Sequence, residues 1–131
     1  MATQIFVNLP VRDLDRSVAF FTGLGFRFNP QFTDSNATCM IVSDDIYVML
    51  LVEPYFKTFT DKPLCDARAC SEAIVCLSLD SREAVDQMVA AAVKGGARLP
   101  REPQDHGFMY GHGFEDLDGH LWEFVHMSGA P

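Results

Sequence analysis

Basic residues are scarce in this chain. Lys and Arg number 10 against 18 Asp and Glu, a formal charge of −8 over 131 residues, and no basic run occurs anywhere. A nucleic-acid binder must neutralise phosphates with Lys and Arg, and an anionic membrane surface asks for the same, so neither is an expected partner. Long apolar runs are missing too. The longest, Ile46 to Val52, has seven residues, a strand's length, where a bilayer span needs about 18. The stretch Met1 to Val11 has no basic start and is broken by Asn8 and Pro10, so no signal peptide is expected. The four cysteines, Cys39, Cys65, Cys70 and Cys76, make no C-x-x-C pair. This argues against a zinc knuckle or a thioredoxin-type site and reads as reduced thiols in a cytoplasmic protein. What the chain does have is apolar mass, 48% hydrophobic with 11 Phe, enough to bury a core in one domain.

The order of elements repeats. Gln4 to Val11 alternates like a strand, Asp13 is placed as an N-cap, and Leu14, Val18, Phe21 and Leu24 recur on one helix face until Gly23 and Gly25 stop it. Three strands follow, Phe26–Phe32, Ala37–Val42 and Ile46–Val52, separated by Asp-Ser-Asn and Ser-Asp-Asp turns. Residues 54–71 read as an irregular connector with a possible helical turn near Tyr55-Phe56-Lys57. The pattern then restarts: strand Ala73–Leu79, cap Ser81, helix face Val85, Met88, Val89 and Ala92, stop Gly95-Gly96. Strands at Ala97–Pro100, Phe108–Glu115 and His120–Met127 complete it, the last two joined through Asp116-Leu117-Asp118-Gly119. That tetrad lacks the remaining ligands of a calcium loop and reads as a hairpin turn.

Two βαβββ modules, residues 1–53 and 72–131, are therefore expected. Such a unit leaves one sheet face uncovered, and two of them can form an incompletely closed, eight-stranded, barrel-like cup of α+β class with helices outside. Period-two alternation sends Ile5, Val7, Leu9 and Val11 to the helix and Phe6 and Asn8 inward; in the later module it sends Ile74 and Cys76 inward. Counting from the turns, Met49 and Glu123 each lie four residues past Asp45 and Gly119. Phe6, Met49, Ile74 and Glu123 thus occupy four equivalent positions. Across the last hairpin, a two- or four-residue loop puts His112, Tyr110 and Phe114 on the face of Glu123, and a three-residue loop reverses this. By strand parity His120 and His126 fall on the outer side, while His106 sits in a loop, so the histidines do not gather at one site. Cys76 reads as a small inward filler, and Tyr55, Phe56 and Phe59 as pocket or lid residues of the connector.

Asn8-Leu9-Pro10-Val11-Arg12-Asp13-Leu14-Asp15-Arg16-Ser17-Val18-Ala19-Phe20-Phe21, followed by Gly23-Leu24-Gly25-Phe26, resembles the opening of vicinal-oxygen-chelate proteins. This is the glyoxalase, bleomycin-resistance and extradiol-dioxygenase superfamily. Phe114-Glu115-Asp116-Leu117-Asp118-Gly119-His120-Leu121-Trp122-Glu123-Phe124 resembles its closing hairpin. Gly107-Phe108-Met109-Tyr110-Gly111 is similar to the branch labelled predicted lactoylglutathione lyase. The resemblance implies a divalent ion held by His, Glu or Gln at the four equivalent positions in metal-dependent members. Here those positions carry Phe6, Met49, Ile74 and Glu123, and only Glu123 is of ligand type, so no cofactor is expected. It also implies a homodimer.

Three functions follow as expectations. The first is metal-free binding of a small organic ligand in an apolar cup, as in bleomycin-resistance-type members that sequester a drug. Phe6, Asn8, Met49, Ile74, Cys76, Tyr110 and Phe114 would line it, and Glu123 with His112 would supply acid–base groups. The second is a divalent-metal-dependent lyase, isomerase or dioxygenase centred on Glu123 and His112. The third is a structural or regulatory dimer whose cup is filled by its own side chains.

Overall fold

A computed structural model describes residues 3–128 of the chain. The elements run β1 (Ile5–Val11), α1 (Leu14–Gly23), β2 (Arg27–Asn29), β3 (Ala37–Ser43), β4 (Ile46–Val52) and α2 (Glu53–Phe56). They continue with β5 (Ile74–Ser78), α3 (Arg82–Lys94), β6 (Gln104–Asp105), β7 (Met109–Glu115) and β8 (Leu121–Met127). The strands form two four-stranded sheets, ordered β1-β4-β3-β2 and β5-β8-β7-β6. In each, the first and last strands of the unit run parallel and the other neighbours antiparallel. The class is α+β, built as two βαβββ units. The chain divides between Leu64 and Cys65, inside the connector; residues 1–2 and 129–131 of the expected modules lie outside the described residues.

In the first unit Asp13 caps α1 by accepting the Arg16 N–H at 3.1 Å. The helix buries Leu14, Ser17, Phe20 and Phe21, a wider stripe than four apolar positions suggest, and Val18 is only half-buried. Leu9, Val11, Met40, Val48 and Leu50 are buried in the same unit. Each such side chain contributes about 1.5–3 kcal/mol by leaving water. The buried Thr38 hydroxyl is satisfied by Thr33 at 2.9 Å, whose hydroxyl also donates to the Asn29 carbonyl at 2.7 Å. The strand expected over 26–32 is shorter than its sequence suggests. Pro30 has no N–H to give a ladder, and the chain turns into a 3₁₀ segment, Pro30–Phe32, capped by Asn29.

In the second unit Ser81 caps α3 by accepting the Ala84 N–H at 3.0 Å. Val85, Val89 and Ala92 are buried where α3 packs on β7 and β8, over Phe114, Trp122 and Phe124. The strand expected at 97–100 is reduced to a single bridge, Arg98 with Glu115, and pairing resumes only at β6. Pro100 and Pro103, which cannot donate, flank the gap.

Asp116 organises the last hairpin. It is buried, with one carboxylate oxygen accepting the N–H groups of Asp118 at 2.9 Å and His120 at 3.0 Å. The other accepts the Trp122 indole N–H at 2.9 Å. The backbone closes between Asp116 and His120 at 2.9 Å, leaving a three-residue loop, Leu117-Asp118-Gly119, with Gly119 at φ +92°. The connector lies on this turn. Arg68 donates to the Leu117 carbonyl at 3.0 Å, and a Cβ on Gly119 would stand 2.7 Å from the Arg68 nitrogen.

Gly119→Ala therefore combines left-handed strain with a backbone clash. Urea unfolding is expected to show a loss of roughly 2–3 kcal/mol, against about 1 kcal/mol for Gly25→Ala, where open space leaves only the strain. Trp122→Phe removes one of the bonds that favour ionised Asp116. Burial already pushes that carboxyl above its ordinary value, with His120 and the Trp122 and backbone hydrogen bonds opposing it. A raised carboxyl is favoured protonated in the fold, so stability is lost as pH climbs from about 3.8 through the folded value. The Trp122→Phe deficit should thus be larger at pH 7 than at pH 4; chemical denaturation at the two values checks this.

Candidate functional site

Strand register decides which side chains can meet. In the first unit Phe6 pairs with Tyr47 and Asn8 with Met49. In the second Ile74 pairs with Leu121 and Cys76 with Glu123. Direct partners share a face, so each unit carries these residues on the side away from its Leu9/Val48 or Trp122/Phe124 core. Phe6 and Asn8 are exposed there and Met49 half-buried; Phe6 stacks on Tyr47 with ring centroids 5.0 Å apart. Ile74, Cys76 and Glu123 are all exposed on the open face of the second sheet. Burial, and secondarily Glu123, push the Cys76 thiol up.

The placement of His112, Tyr110 and Phe114 beside Glu123 is corrected. β7 and β8 pair His112 with Phe124, Tyr110 with His126 and Phe114 with Trp122, all on the helix side, while Gly113 faces Glu123. The cause is the three-residue loop, whose odd length reverses the face of every β7 residue relative to an even one. Phe114 is buried and stacks on Phe124 at 5.6 Å. The Tyr110 hydroxyl donates to Asp86 of α3 at 2.5 Å, and His112 Nε2 meets the Arg101 carbonyl at 3.0 Å. His126 lies on the helix side, its Nδ1 3.1 Å from the Leu79 carbonyl.

What faces Glu123 is empty backbone. Gly111 and Gly113 point to the open side of β7, and with Ile74, Met109, Leu121 and Val125 they line a hollow of about 500 Å³. A Cβ on Gly113 would strike the Trp122 carbonyl and come within 3.1 Å of Glu123 Cγ. Pro100, Arg101, Glu102, Gln104 and His106 form the rim; His112, Phe114 and Trp122 border the hollow although their side chains belong to the other face. Among the described residues the Glu123 side chain makes no hydrogen bond or ion pair. The rim is braced from α3. Arg82 grips Asp105 with two bonds of 2.7 and 3.0 Å, donates to the Gly107 carbonyl at 3.1 Å and lies 5.0 Å over the Tyr110 ring. That pairing, helped by the Gly107 N–H, holds the Asp105 carboxyl down to about 2. Tyr110 is thus a strut of the rim.

The alternation Gly111-x-Gly113 inside a strand is a signal the sequence offers for this hollow, since glycine in a strand interior marks close approach. The rim residues Arg101, Gln104 and His106 carry no such signal, because their position follows from an irregular edge. The donor set for a divalent ion does not fit. The second unit supplies Ile74 and Glu123 at the equivalent positions and the first unit Phe6 and Met49, one strong ligand in all. Among the described residues no group of three or more His, Cys, Asp or Glu is placed to hold a metal ion.

A family profile described as bleomycin resistance protein-like N-terminal matches residues 3–43. A hypothetical protein from S. aureus is 30% identical, with 95% of this chain and 94% of that chain covered and a TM-score of 0.80. A glyoxalase/bleomycin resistance protein/dioxygenase family enzyme from Burkholderia phytofirmans PsJN superposes with a TM-score of 0.79 at 17% identity, covering 96% and 99% of the two chains. The bleomycin resistance determinant encoded on transposon Tn5 gives 0.68 at 21% identity, covering 98% and 100%. No curated protein sequence matches. With the two βαβββ units, these likenesses show the glyoxalase/bleomycin-resistance/dioxygenase fold, and the opening segment matches bleomycin resistance protein-like N-terminal sequences.

Proposed function

We propose that the protein binds a small organic ligand in the open-face hollow of its second unit, without a resident metal ion. The observation that carries this reading is Glu123, a carboxylate without a protein partner among the described residues, set beside a glycine floor and apolar walls. Apolar walls with few polar groups are the usual form of a ligand site. A carboxylate only accepts, so the matching ligand presents a protonated amine or other donor next to an aromatic or aliphatic body. The acidic charge of −8 favours cationic ligands on approach. Drug sequestration is the form that the resemblance to bleomycin-resistance-type members implies for such a site. The lactoylglutathione-lyase reading draws no support from the donor set, and His112, on the far face of β7, is not a partner for Glu123 in acid–base work. The four free thiols accord with a cytoplasmic protein. The working form is taken as a homodimer, because β1 and β5 are sheet edges with Ile5, Phe6 and Ile74 exposed.

Thermal-shift titration with aromatic amines, matched aromatic carboxylates and thiol conjugates tests the ligand class. Amines should stabilise the protein, and Glu123→Gln should weaken their binding about 10- to 100-fold, the worth of one hydrogen bond to a charged group, with an unchanged ligand-free melting temperature. Equal response to amines and carboxylates rejects the role of Glu123. Equilibrium dialysis against Zn²⁺, Mn²⁺ and Ni²⁺ should leave less than about a tenth of an equivalent bound, and EDTA should not alter amine binding. A stoichiometric ion would restore the metal-dependent enzyme.

A further inference from the structure

The connector brings two cysteines together. Cys65 and Cys70 lie 3.4 Å apart, sulfur to sulfur, at the two ends of a short turn. The turn is built on Asp66, whose carbonyl accepts the N–H groups of Ala69 at 2.9 Å and Cys70 at 3.0 Å. Its carboxylate accepts the Arg68 N–H at 3.1 Å. Cys70 is exposed and Cys65 half-buried. The same turn clamps the last hairpin: Arg68 holds the Leu117 carbonyl, and the Ala67–Arg68 backbone occupies the space a Gly119 side chain would need.

We propose that Cys65 and Cys70 are a reversible redox pair whose disulfide stiffens the turn braced against the β7–β8 hairpin. With hydrogen peroxide as oxidant, the exposed Cys70 sulfur attacks one peroxide oxygen, the O–O bond breaks, the other oxygen leaves as water, and Cys70 becomes a sulfenic acid. The Cys65 sulfur then displaces the hydroxyl, which leaves as a second water, and the S–S bond forms. Two thiols lose two protons and two electrons, and the peroxide takes them up as two waters. A closing movement of about 1.4 Å brings the sulfurs from their present separation to bonding distance. A dithiol reductant reverses the step by exchange. The Cys65 thiol is pushed up, first by its hydrogen bond to Cys70 and further by burial and by Cys70, Glu72 and Asp66, in keeping with its part as the resolving rather than the attacking sulfur. Six residues enclosed by a bond exact little order from the folded chain and remove freedom from the unfolded one.

The test uses the full chain, reduced and then treated with hydrogen peroxide. The accessible thiol count should fall by two, the mass by two hydrogens, and peptide mapping should join the Cys65 and Cys70 peptides within one chain. The oxidised protein should melt about 2–5 °C above the reduced one, and dithiothreitol should return it. Cys65→Ser and Cys70→Ser, changes in an exposed turn, should melt like the reduced wild type with or without peroxide. A chain-to-chain disulfide, a link to Cys39 or Cys76, over-oxidation of Cys70 without a cross-link, or an unchanged melting temperature after the cross-link forms would each overturn the proposal.

Discussion

The carboxylate of Asp116 holds three N–H groups at once, two from the turn it begins and one from an indole two residues beyond that turn. An even loop cannot satisfy those donors with the same geometry, so the buried charge and the odd loop length fix each other. From that follows the register of β7 on β8, and from the register follows which side chains share a face. Glycines 111 and 113 are turned towards Glu123, and Tyr110, His112 and Phe114 towards α3. The hollow is the complement of this choice: the bulky side chains of β7 are spent on the core, and the open side is left to backbone.

The helix side repays that arrangement at the rim. Tyr110 reaches α3 through Asp86, Arg82 crosses the same ring to Asp105 and Gly107, and His112 meets the Arg101 carbonyl. Two β7 side chains that would crowd a ligand on the open face, Tyr110 and His112, instead help to fasten the segment that borders it. A single strand thus gives the hollow its floor on one side and its rim supports on the other.

Much of this is legible in the sequence. Asp13 and Ser81 are caps because their side chains accept from the backbone three residues on, and their types and positions say so. The shared face of Phe6 with Asn8, and of Ile74 with Cys76, follows from the apolar set on the other side of each strand, and the register of each sheet agrees with it. The face of His112 was not legible. Asp116-Leu117-Asp118-Gly119 suits loops of two, three or four residues, and only the buried carboxylate chooses among them, an interaction that depends on Trp122 being in the core. The Arg98–Asp105 stretch was legible only as an interruption, because prolines say where pairing fails and not where it resumes. The Cys65–Cys70 approach depends on a turn built by Asp66, and spacing alone does not announce it.

A floor made of main chain has a consequence for how such a protein diversifies. Peptide groups stay the same whatever amino acid occupies a position, so the bottom of the hollow is insulated from most genetic change, and an added β-carbon at Gly113 is penalised at once by the strand beside it. Residues 100–103, exposed and outside the strands, meet no such constraint. New ligand preferences can then arise by rewriting the border while the bed beneath it is inherited intact.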